Sequence, residues 1–245
     1  MDALRVEQAT DLLRVTMARP ERRNAFDAEL IGELTEAFSD VGDEVRAVLL
    51  SGDGKSFSAG ADVEWMRSAV ELSYEENVAD ARRLRMMLEA IDSCPAPVVA
   101  RVHGHALGGG CGLVACSDIA LAAPDALFAF SEVKLGIIPA VISPFVLAKI
   151  GSGAARRYFL TGERFGPDVA LRIGLVSEIG QDVEALVAEL LTSGPGAVRE
   201  AKRLVRPVPG DGRALAELAA RLRTSDEGQD GLRAFLERRK PGWTD

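Results

Sequence analysis

The stretch HGHALGGGCGLVACSD, residues His103–Asp118, places three consecutive glycines between a β-like run, PVVARV, and a short apolar helix. Glycine loses more backbone freedom on folding than any other residue, so three in a row are costly to order. A glycine turn that leads into a helix leaves unpaired N–H groups at the positive end of that helix, where an anion is stabilised. The stretch therefore predicts either an anion-binding turn or a close contact between the helix and a sheet.

A second turn of the same kind lies upstream. The segment SFSAGAD, residues 56–62, follows the buried-strand pattern RAVLLSG and precedes a helical pattern. Neither turn contains the phosphate-binding signatures GxGxxG or GxxxxGK[ST], which disfavours a dinucleotide fold and a P-loop. An oxyanion is usually held from two sides, and the Ala61 N–H offers a second donor. Together the turns predict one oxyanion site; the alternatives are helix packing for the glycines and an ordinary surface loop for SFSAGAD.

The composition is that of a soluble globular protein. The 245 residues are 47% hydrophobic and 27% charged, enough for one large domain or two small ones. The net charge of -8 argues against a general nucleic-acid or anionic-membrane binder, because such proteins need a basic surface. We therefore expect no nucleic-acid partner.

The spacing of the cysteines and the length of the apolar runs indicate the cellular location. Cys94, Cys111 and Cys116 form no CxxC pair, so neither a disulfide framework nor a structural zinc site is indicated. The N-terminal stretch lacks a basic segment followed by an apolar one, and no apolar run is long enough to span a bilayer. We expect no bound metal, no membrane partner and a cytoplasmic location.

Periodicity along the chain indicates an α/β protein. The N-terminal stretch LRVEQATDLLRVTMA alternates like a hairpin of two edge strands, and Asp27 is the expected N-cap of the next helix. A long helix carries an apolar stripe from Val78 to Ile91, and the run ALFAFSE is predicted to be a strand ending at Glu132. From Gly194 onward only amphipathic helices are indicated, so we divide the chain into a core at residues 1–190 and a helical region at 191–245.

Three motifs, FSAGAD, GHALGGGCGLVACSDIALAA and FSEVKLGIIPA, resemble in order and spacing the enoyl-CoA hydratase/isomerase (crotonase) family. The likeness runs over the whole chain. It implies a crotonase-type spiral of ββα units followed by a C-terminal helical trimerisation region, in a homotrimer or a homohexamer of two stacked trimers. It also implies an acyl-CoA thioester as substrate, with coenzyme A entering as part of that substrate and no separate cofactor.

The resemblance assigns roles to individual residues. The N–H groups of Ala61 and Gly109 would form the oxyanion hole for the thioester carbonyl, and Glu132 would be the catalytic carboxylate. Positions that match the family's coenzyme A contacts are Arg22, Arg23, Ala25, Ala59, Asp62, Val63, Phe235 and Lys240, the last two being candidates for contribution from a neighbouring subunit. Without the resemblance, the two early arginines would be interpreted as a solvated charge cluster. His103 and His105, expected on the same face of one strand end, would be interpreted as structural.

The sequence departs from the family at one catalytic position. The best-known hydratases use two glutamates, and Gly112 occupies the place of the first, leaving Glu132 as the obvious proton-transfer group. Three outcomes compete: hydration of an enoyl-CoA by Glu132 alone, isomerisation of a 3-enoyl-CoA to a 2-enoyl-CoA, and acyl-CoA binding with little turnover.

A second departure points to a subclass. The segment AVISPFV, together with the glycine at Gly112, is similar to bacterial methylglutaconyl-CoA hydratases and their branched isoprenoid-CoA relatives. The prediction is therefore hydration of a branched or methylglutaconyl-type enoyl-CoA, in fatty-acid or branched-chain amino-acid degradation.

Overall fold

A computed structural model describes residues 3–180, 182–205 and 212–244. These ranges contain eight strands and ten α-helices. The strands are β1 Leu4–Ala9, β2 Leu12–Met17, β3 Ala47–Gly52, β4 Val98–Val102, β5 His105–Leu107, β6 Ile119–Ala122, β7 Leu127–Ala129 and β8 Glu178–Ile179. The helices are α1 Ala28–Ser39, α2 Val63–Glu71, α3 Tyr74–Ser93, α4 Gly109–Cys116, α5 Ser143–Thr161, α6 Pro167–Arg172, α7 Val183–Leu191, α8 Pro195–Leu204, α9 Gly212–Thr224 and α10 Asp226–Glu237.

The strands form two sheets. The larger has the order β1-β2-β3-β4-β6-β8, antiparallel between β1 and β2 and parallel elsewhere. A short parallel pair, β5 with β7, forms the second sheet. Every residue of β3 is buried, as expected for a parallel strand covered on both faces by helices. The predicted α/β class is thus confirmed.

The N-terminal hairpin has one edge strand rather than the two predicted. Strand β1 lies at the edge of the large sheet, whereas β2 pairs with β1 on one side and with β3 on the other. Val15 and Met17 of β2 are fully buried. An interior strand whose first residues are partly exposed shows the same alternation of apolar and polar residues as an edge strand. The sequence pattern alone therefore did not distinguish an edge strand from an interior one.

The first helix begins where the sequence predicts. Asp27 caps α1 by accepting a hydrogen bond from the Leu30 N–H at 3.0 Å. The predicted apolar stripe on α3 is buried only in its second half, at Leu88 and Ile91. In the first half, Ala81 and Leu84 instead line a cavity.

The strand predicted to end at Glu132 ends three residues earlier. Strand β7 stops at Ala129, and Glu132 opens a 3-10 turn, Glu132–Leu135, that Gly136 closes with φ of 74°. Phe128 also pairs with the distant Phe165 in an isolated bridge, after which the chain leaves the sheet and turns. Glu132 is therefore held on a turn.

The C-terminal helical region is anchored to the sheet by a buried lysine and a partly buried arginine. Lys202 of α8 is buried and donates to the Ala96 carbonyl at 2.9 Å, while pairing with Asp118 at 2.7 Å. Arg46 donates to the carbonyls of Leu191, Ser193 and Trp243. The predicted boundary at 190–191 falls one residue before the end of α7.

None of the described helices is both long enough and apolar enough to cross a bilayer.

The Lys202 pair generates a stability prediction. We expect Lys202→Ala to lower the free energy of unfolding by about 3 kcal/mol, because it leaves Asp118 partly buried without its cation. Urea denaturation followed by circular dichroism measures the change. The control is Arg203→Ala on the same helix, which removes an exposed 2.6 Å pair with Glu200 and should cost less than about 1 kcal/mol. Equal effects of the two substitutions would contradict the anchoring role of Lys202.

Candidate active site

Two backbone hydrogen bonds join the two catalytic turns. The Ser58 N–H donates to the His105 carbonyl at 2.9 Å, and the Leu107 N–H donates to the Ser58 carbonyl at 3.0 Å. A Cβ atom at Gly60 would lie 3.8 Å from the Gly109 nitrogen. Segments about 50 residues apart in sequence are thus in contact, as an oxyanion site built from both requires.

The amides of Ala61 and Gly109 are left available to a ligand. Phe26 pairs with the first turn through hydrogen bonds to the Gly60 carbonyl and from the Asp62 N–H, at 2.7 and 2.8 Å. Gly109 is the first residue of α4, where a helix offers its N–H no internal partner. Over the described residues, neither the Ala61 nor the Gly109 N–H donates a hydrogen bond, and both residues line one cavity.

The three glycines serve close packing and the site at once. A Cβ atom at Gly109 would lie 2.6 Å from Phe26 Cε2, and one at Gly110 would lie 2.6 Å from the Ser58 carbonyl oxygen. Gly108 has φ of 50°, which side chains rarely adopt, and a Cβ there would lie 3.2 Å from Glu132 Oε1. The two interpretations of the glycines are therefore not exclusive.

The cavity has a volume of about 380 Å³. Its walls come from the two turns, from α2, from the first half of α3 and from residues 131–142. Most lining side chains are apolar, as is usual for small-molecule sites. The acidic side chains among its described lining residues are Glu132 and Asp80.

Glu132 is half-buried, and its Oε2 atom is buried without a hydrogen-bond partner among the described residues. Burial raises the pKa of Glu132 above its ordinary value of 4.5, and a hydrogen bond from its own backbone opposes that rise only in part. A carboxylate that gains little from the protein is suited to exchanging protons with a bound ligand. The structure therefore brings Glu132 into the same cavity as the two unpartnered amides.

The place of the missing first glutamate is filled. A Cβ atom at Gly112 would lie 2.6 Å from Ile142 Cγ2 and 3.5 Å from Leu88 Cδ2. Ile142 belongs to the AVISPFV segment, so the two departures from the family pattern are in contact. A glutamate at position 112 would require Ile142 to move.

Among the residues predicted to contact coenzyme A, Asp62 and Arg22 pair with each other. Asp62 is buried and accepts from the Glu64 N–H, capping α2, while also pairing with Arg22 at 3.0 Å. Burial would raise the pKa of Asp62, but these hydrogen bonds outweigh it and lower that pKa. Its carboxylate therefore positions Arg22 and α2.

Other predicted contacts lie around the same turn. Ala59 lines the cavity, and its N–H donates to the Arg23 carbonyl at 2.9 Å. Ala25 is buried, Arg23 is exposed, and Val63 is exposed at the first position of α2. Contact of each with coenzyme A stays a prediction.

Phe235 and Lys240 do not line the cavity of their own chain. Phe235 is 82% exposed on α10, and Lys240 follows that helix on the surface. Their assignment to the coenzyme A pocket requires a second chain and stays a prediction.

One acidic cavity residue was not predicted from the sequence. Asp80 is 8% exposed, and its Oδ1 atom accepts a hydrogen bond from Arg83 at 2.9 Å. The signal was present, because Asp80 lies four residues before Leu84 and eight before Leu88, on the stripe that the sequence indicates to be apolar. Because burial of a carboxylate is costly, an aspartate on an apolar helix face indicates a functional or pairing role.

The histidines and cysteines near the site have local partners. His105 lies in β5 and hydrogen-bonds Ser56, whereas His103 lies in the preceding turn and hydrogen-bonds the Gly54 carbonyl. Cys111 donates to the Ala106 carbonyl, and burial raises its thiol pKa. No cluster of three or more metal-binding side chains occurs in the described part of the chain.

The fold and the site define a class: an α/β protein in which two strand–turn–helix units direct free amides, and a 3-10 turn directs a carboxylate, into one mostly apolar cavity. The profile described as Enoyl-CoA hydratase/isomerase matches residues 7–245, and the chain belongs to this family. A putative enoyl-CoA hydratase of Thermus thermophilus is 35% identical over 235 residues, covering 91% of this chain and 93% of that protein.

Solved structures agree with this family and with the predicted crotonase-type fold. An enoyl-CoA hydratase from Shewanella pealeana has a TM-score of 0.91 and 40% identity, covering 98% of this chain and 96% of that one. Pseudomonas aeruginosa AtuE has a TM-score of 0.93 and 36% identity, covering 99% and 100%. The chain is thus an enzyme of the enoyl-CoA hydratase type.

The raised pKa of Glu132 predicts a stability effect. Folding favours the protonated acid, so the stability this group contributes is present below pH 4.5 and is lost as pH rises through its folded pKa. We expect Glu132→Gln to raise the melting temperature at pH 7 to 8 and to lose that advantage below about pH 4.5. Differential scanning fluorimetry across pH measures it.

The matched control is Glu163→Gln. The pKa of exposed Glu163 is lowered by its hydrogen bond with Arg157, so this substitution should give no stabilisation at pH 7. A Glu132→Gln protein less stable than the wild type at pH 8 would show that the carboxylate has a stabilising partner.

Proposed function

We propose that this enzyme adds water across the 2,3 double bond of an enoyl-CoA through an enolate held in the oxyanion hole. The observation that carries the proposal is the meeting of the free Ala61 and Gly109 amides with Glu132 in one cavity. A thioester oxygen between the two N–H groups gains hydrogen bonds that strengthen as negative charge develops on it. Removing one such donor typically costs about 2.7 to 4 kcal/mol of barrier.

Glu132 carries the proton transfers. The carboxylate takes a proton from water as the water oxygen attacks C3, and the π electrons of the double bond move to the thioester oxygen. When those electrons return, Glu132 delivers the proton to C2. The carboxylate is regenerated in the same step.

A branched substrate is supported by the contact between Gly112 and Ile142. Because glycine at position 112 admits Ile142, this wall of the acyl cavity is apolar where a second glutamate would make it acidic. We propose a branched or methylglutaconyl-type acyl group, which would place the enzyme in fatty-acid or branched-chain amino-acid degradation. Arg83, which contacts the lining residue Asp80, is a candidate cation for a distal carboxylate.

Isomerisation of a 3-enoyl-CoA is the second candidate. It is favoured by the filled place at Gly112, since moving one proton between two carbons on one face needs a single base. An acyl-CoA-binding protein with little turnover is a weaker alternative, because Glu132 keeps a partnerless oxygen in the cavity.

Assembly and location complete the proposal. The C-terminal helices expose Leu204, Leu215, Phe235 and Leu236, which supports a homotrimer or homohexamer in which Phe235 and Lys240 reach a neighbour's coenzyme A. Three buried thiols outside any disulfide among the described residues support a cytoplasmic location.

A substrate panel tests the reaction class. Crotonyl-CoA, 3-methylglutaconyl-CoA and a 3-enoyl-CoA are incubated separately with the protein, and the products are weighed by mass spectrometry. We expect the mass gain of one water with a 2-enoyl-CoA, and the highest kcat/KM with the branched member. Conversion of the 3-enoyl-CoA without a mass change, and no hydration, would favour the isomerase.

Glu132→Gln is the control for this panel. Turnover should fall by at least about 100-fold while coenzyme A affinity stays within about twofold. In the wild type, kcat/KM should fall as pH drops through a pKa above 4.5, because the base must be ionised and burial raises its pKa. Retained turnover in the variant would reject the role given to Glu132.

A further inference from the structure

Two carboxylates face the acyl cavity, and the proposed mechanism uses only one. Asp80 is buried and lines the same cavity as Glu132. Its Oδ1 atom accepts from Arg83, whereas its Oδ2 atom accepts no hydrogen bond within the described ranges. Glu132 Oε2 is likewise without a partner there. A buried carboxylate oxygen without a donor is costly, so Glu132 Oε2 implies a donor that enters with the ligand or solvent. Asp80 Oδ2 keeps its acceptor sites for the same donors.

The position of Asp80 is fixed by its helix. The Asn77 side-chain amide donates to the carbonyls of Ala69, Leu72 and Ser73, and Ser73 with Glu76 forms a capping box at the start of α3. These contacts hold the first turn of α3 against the end of α2. Asp80 follows in the next turn, so its backbone is ordered by interactions other than its own carboxylate.

Asp80 reaches the cavity from a different wall than a glutamate at position 112 would. Leu88, two helical turns and about 12 Å further along α3, packs against the Gly112 place. Asp80, Ala81 and Leu84 line the cavity in the first half of the helix. The cavity therefore has no room for an acidic side chain at position 112, but it receives one, Asp80, from α3.

We propose that Asp80 is the second catalytic carboxylate of the site and holds the water that attacks C3. The inference rests on the proposed hydration. A water molecule has two O–H groups and can donate one to each carboxylate. The proton given to Glu132 is transferred and ends on C2, while the O–H that donates to Asp80 stays intact and becomes the 3-hydroxyl of the product. The new C3–O bond and the C2–H bond account for both parts of the water.

This division of roles separates two reactions. Hydration needs Asp80, Glu132 and the two amides. Exchange of a C2 proton of a saturated acyl-CoA with solvent needs Glu132 and the amides only, because no water attacks carbon. The product hydroxyl should also bind Asp80, whereas an acyl group without a hydroxyl gains nothing from it.

The test compares Asp80→Asn, Asp80→Leu, Glu132→Gln and the control Glu89→Gln. Glu89 is an exposed carboxylate on the same helix, paired with Arg85 at 2.7 Å and absent from the cavity. Hydration is assayed with the better of crotonyl-CoA and 3-methylglutaconyl-CoA. Exchange at C2 of butyryl-CoA is followed in D₂O by mass spectrometry, and binding of 3-hydroxybutyryl-CoA and butyryl-CoA by calorimetry.

We expect Asp80→Leu to lower kcat for hydration by about 100-fold and Asp80→Asn by about tenfold, with KM changed by less than about threefold. Butyryl-CoA exchange should stay within about twofold in both, which also shows that they fold, while Glu132→Gln loses both reactions. Asp80→Leu should weaken 3-hydroxybutyryl-CoA binding by about fivefold or more and leave butyryl-CoA unchanged. Glu89→Gln should match the wild type throughout.

Wild-type hydration rates in the Asp80 variants would overturn the proposal. So would an equal loss of hydration and exchange, because Asp80 would then act on Glu132 or on the fold. If the wild type hydrates none of the panel, the proposed function fails on its own. The binding comparison still decides whether Asp80 meets a group at C3, and equal losses for the hydroxylated and plain ligands would reject that.

Discussion

The pairing of Ser58 with strand β5 is the interaction on which the rest of the site depends. Its two hydrogen bonds, to His105 and from Leu107, press the SFSAGAD turn against the glycine turn. Neither turn could carry a side chain at the contact, because a Cβ atom at Gly60 would lie 2.7 Å from the Leu107 carbonyl oxygen and one at Gly110 would lie 2.6 Å from the Ser58 carbonyl oxygen. Backbone amides held by such packing need no reorganisation when charge develops on a ligand, which is why they suit an oxyanion.

The acyl side of the cavity follows from a second packing constraint. Ile142 occupies the space beside Gly112, so the glycine and the altered AVISPFV segment form one unit. Ile142 takes the space that a glutamate side chain at position 112 of α4 would need. Helix α3 instead places the carboxylate of Asp80 in the same cavity. Glu132 Oε2 is buried without a protein donor, which sacrifices stability for a site ready to receive a donor from a ligand or water. Asp80 pairs with Arg83 through Oδ1 and leaves Oδ2 to such donors.

The sequence predicted the elements that local chemistry determines. The Asp27 cap, the buried strand β3 and the two strand–turn–helix units are set by capping and apolar runs, and the meeting of Ala61 with Gly109 followed from the resemblance. The end of β7 was misplaced because a bridge between Phe128 and Phe165 is a long-range contact that periodicity does not record. Asp80 was missed because α3 lines the cavity with its first half and packs in the core with its second half, and both halves belong to one continuous apolar stripe in the sequence. Only the folded structure shows that the two halves have different surroundings.

A crystal structure of the protein with butyryl-CoA tests the central claim most directly, because it locates the thioester oxygen. The account predicts that this oxygen lies about 3 Å from both the Ala61 and the Gly109 nitrogens, with the acyl chain extending past Glu132. A thioester oxygen bound to only one of these amides, or to neither, would contradict the claim that the two turns form one oxyanion site.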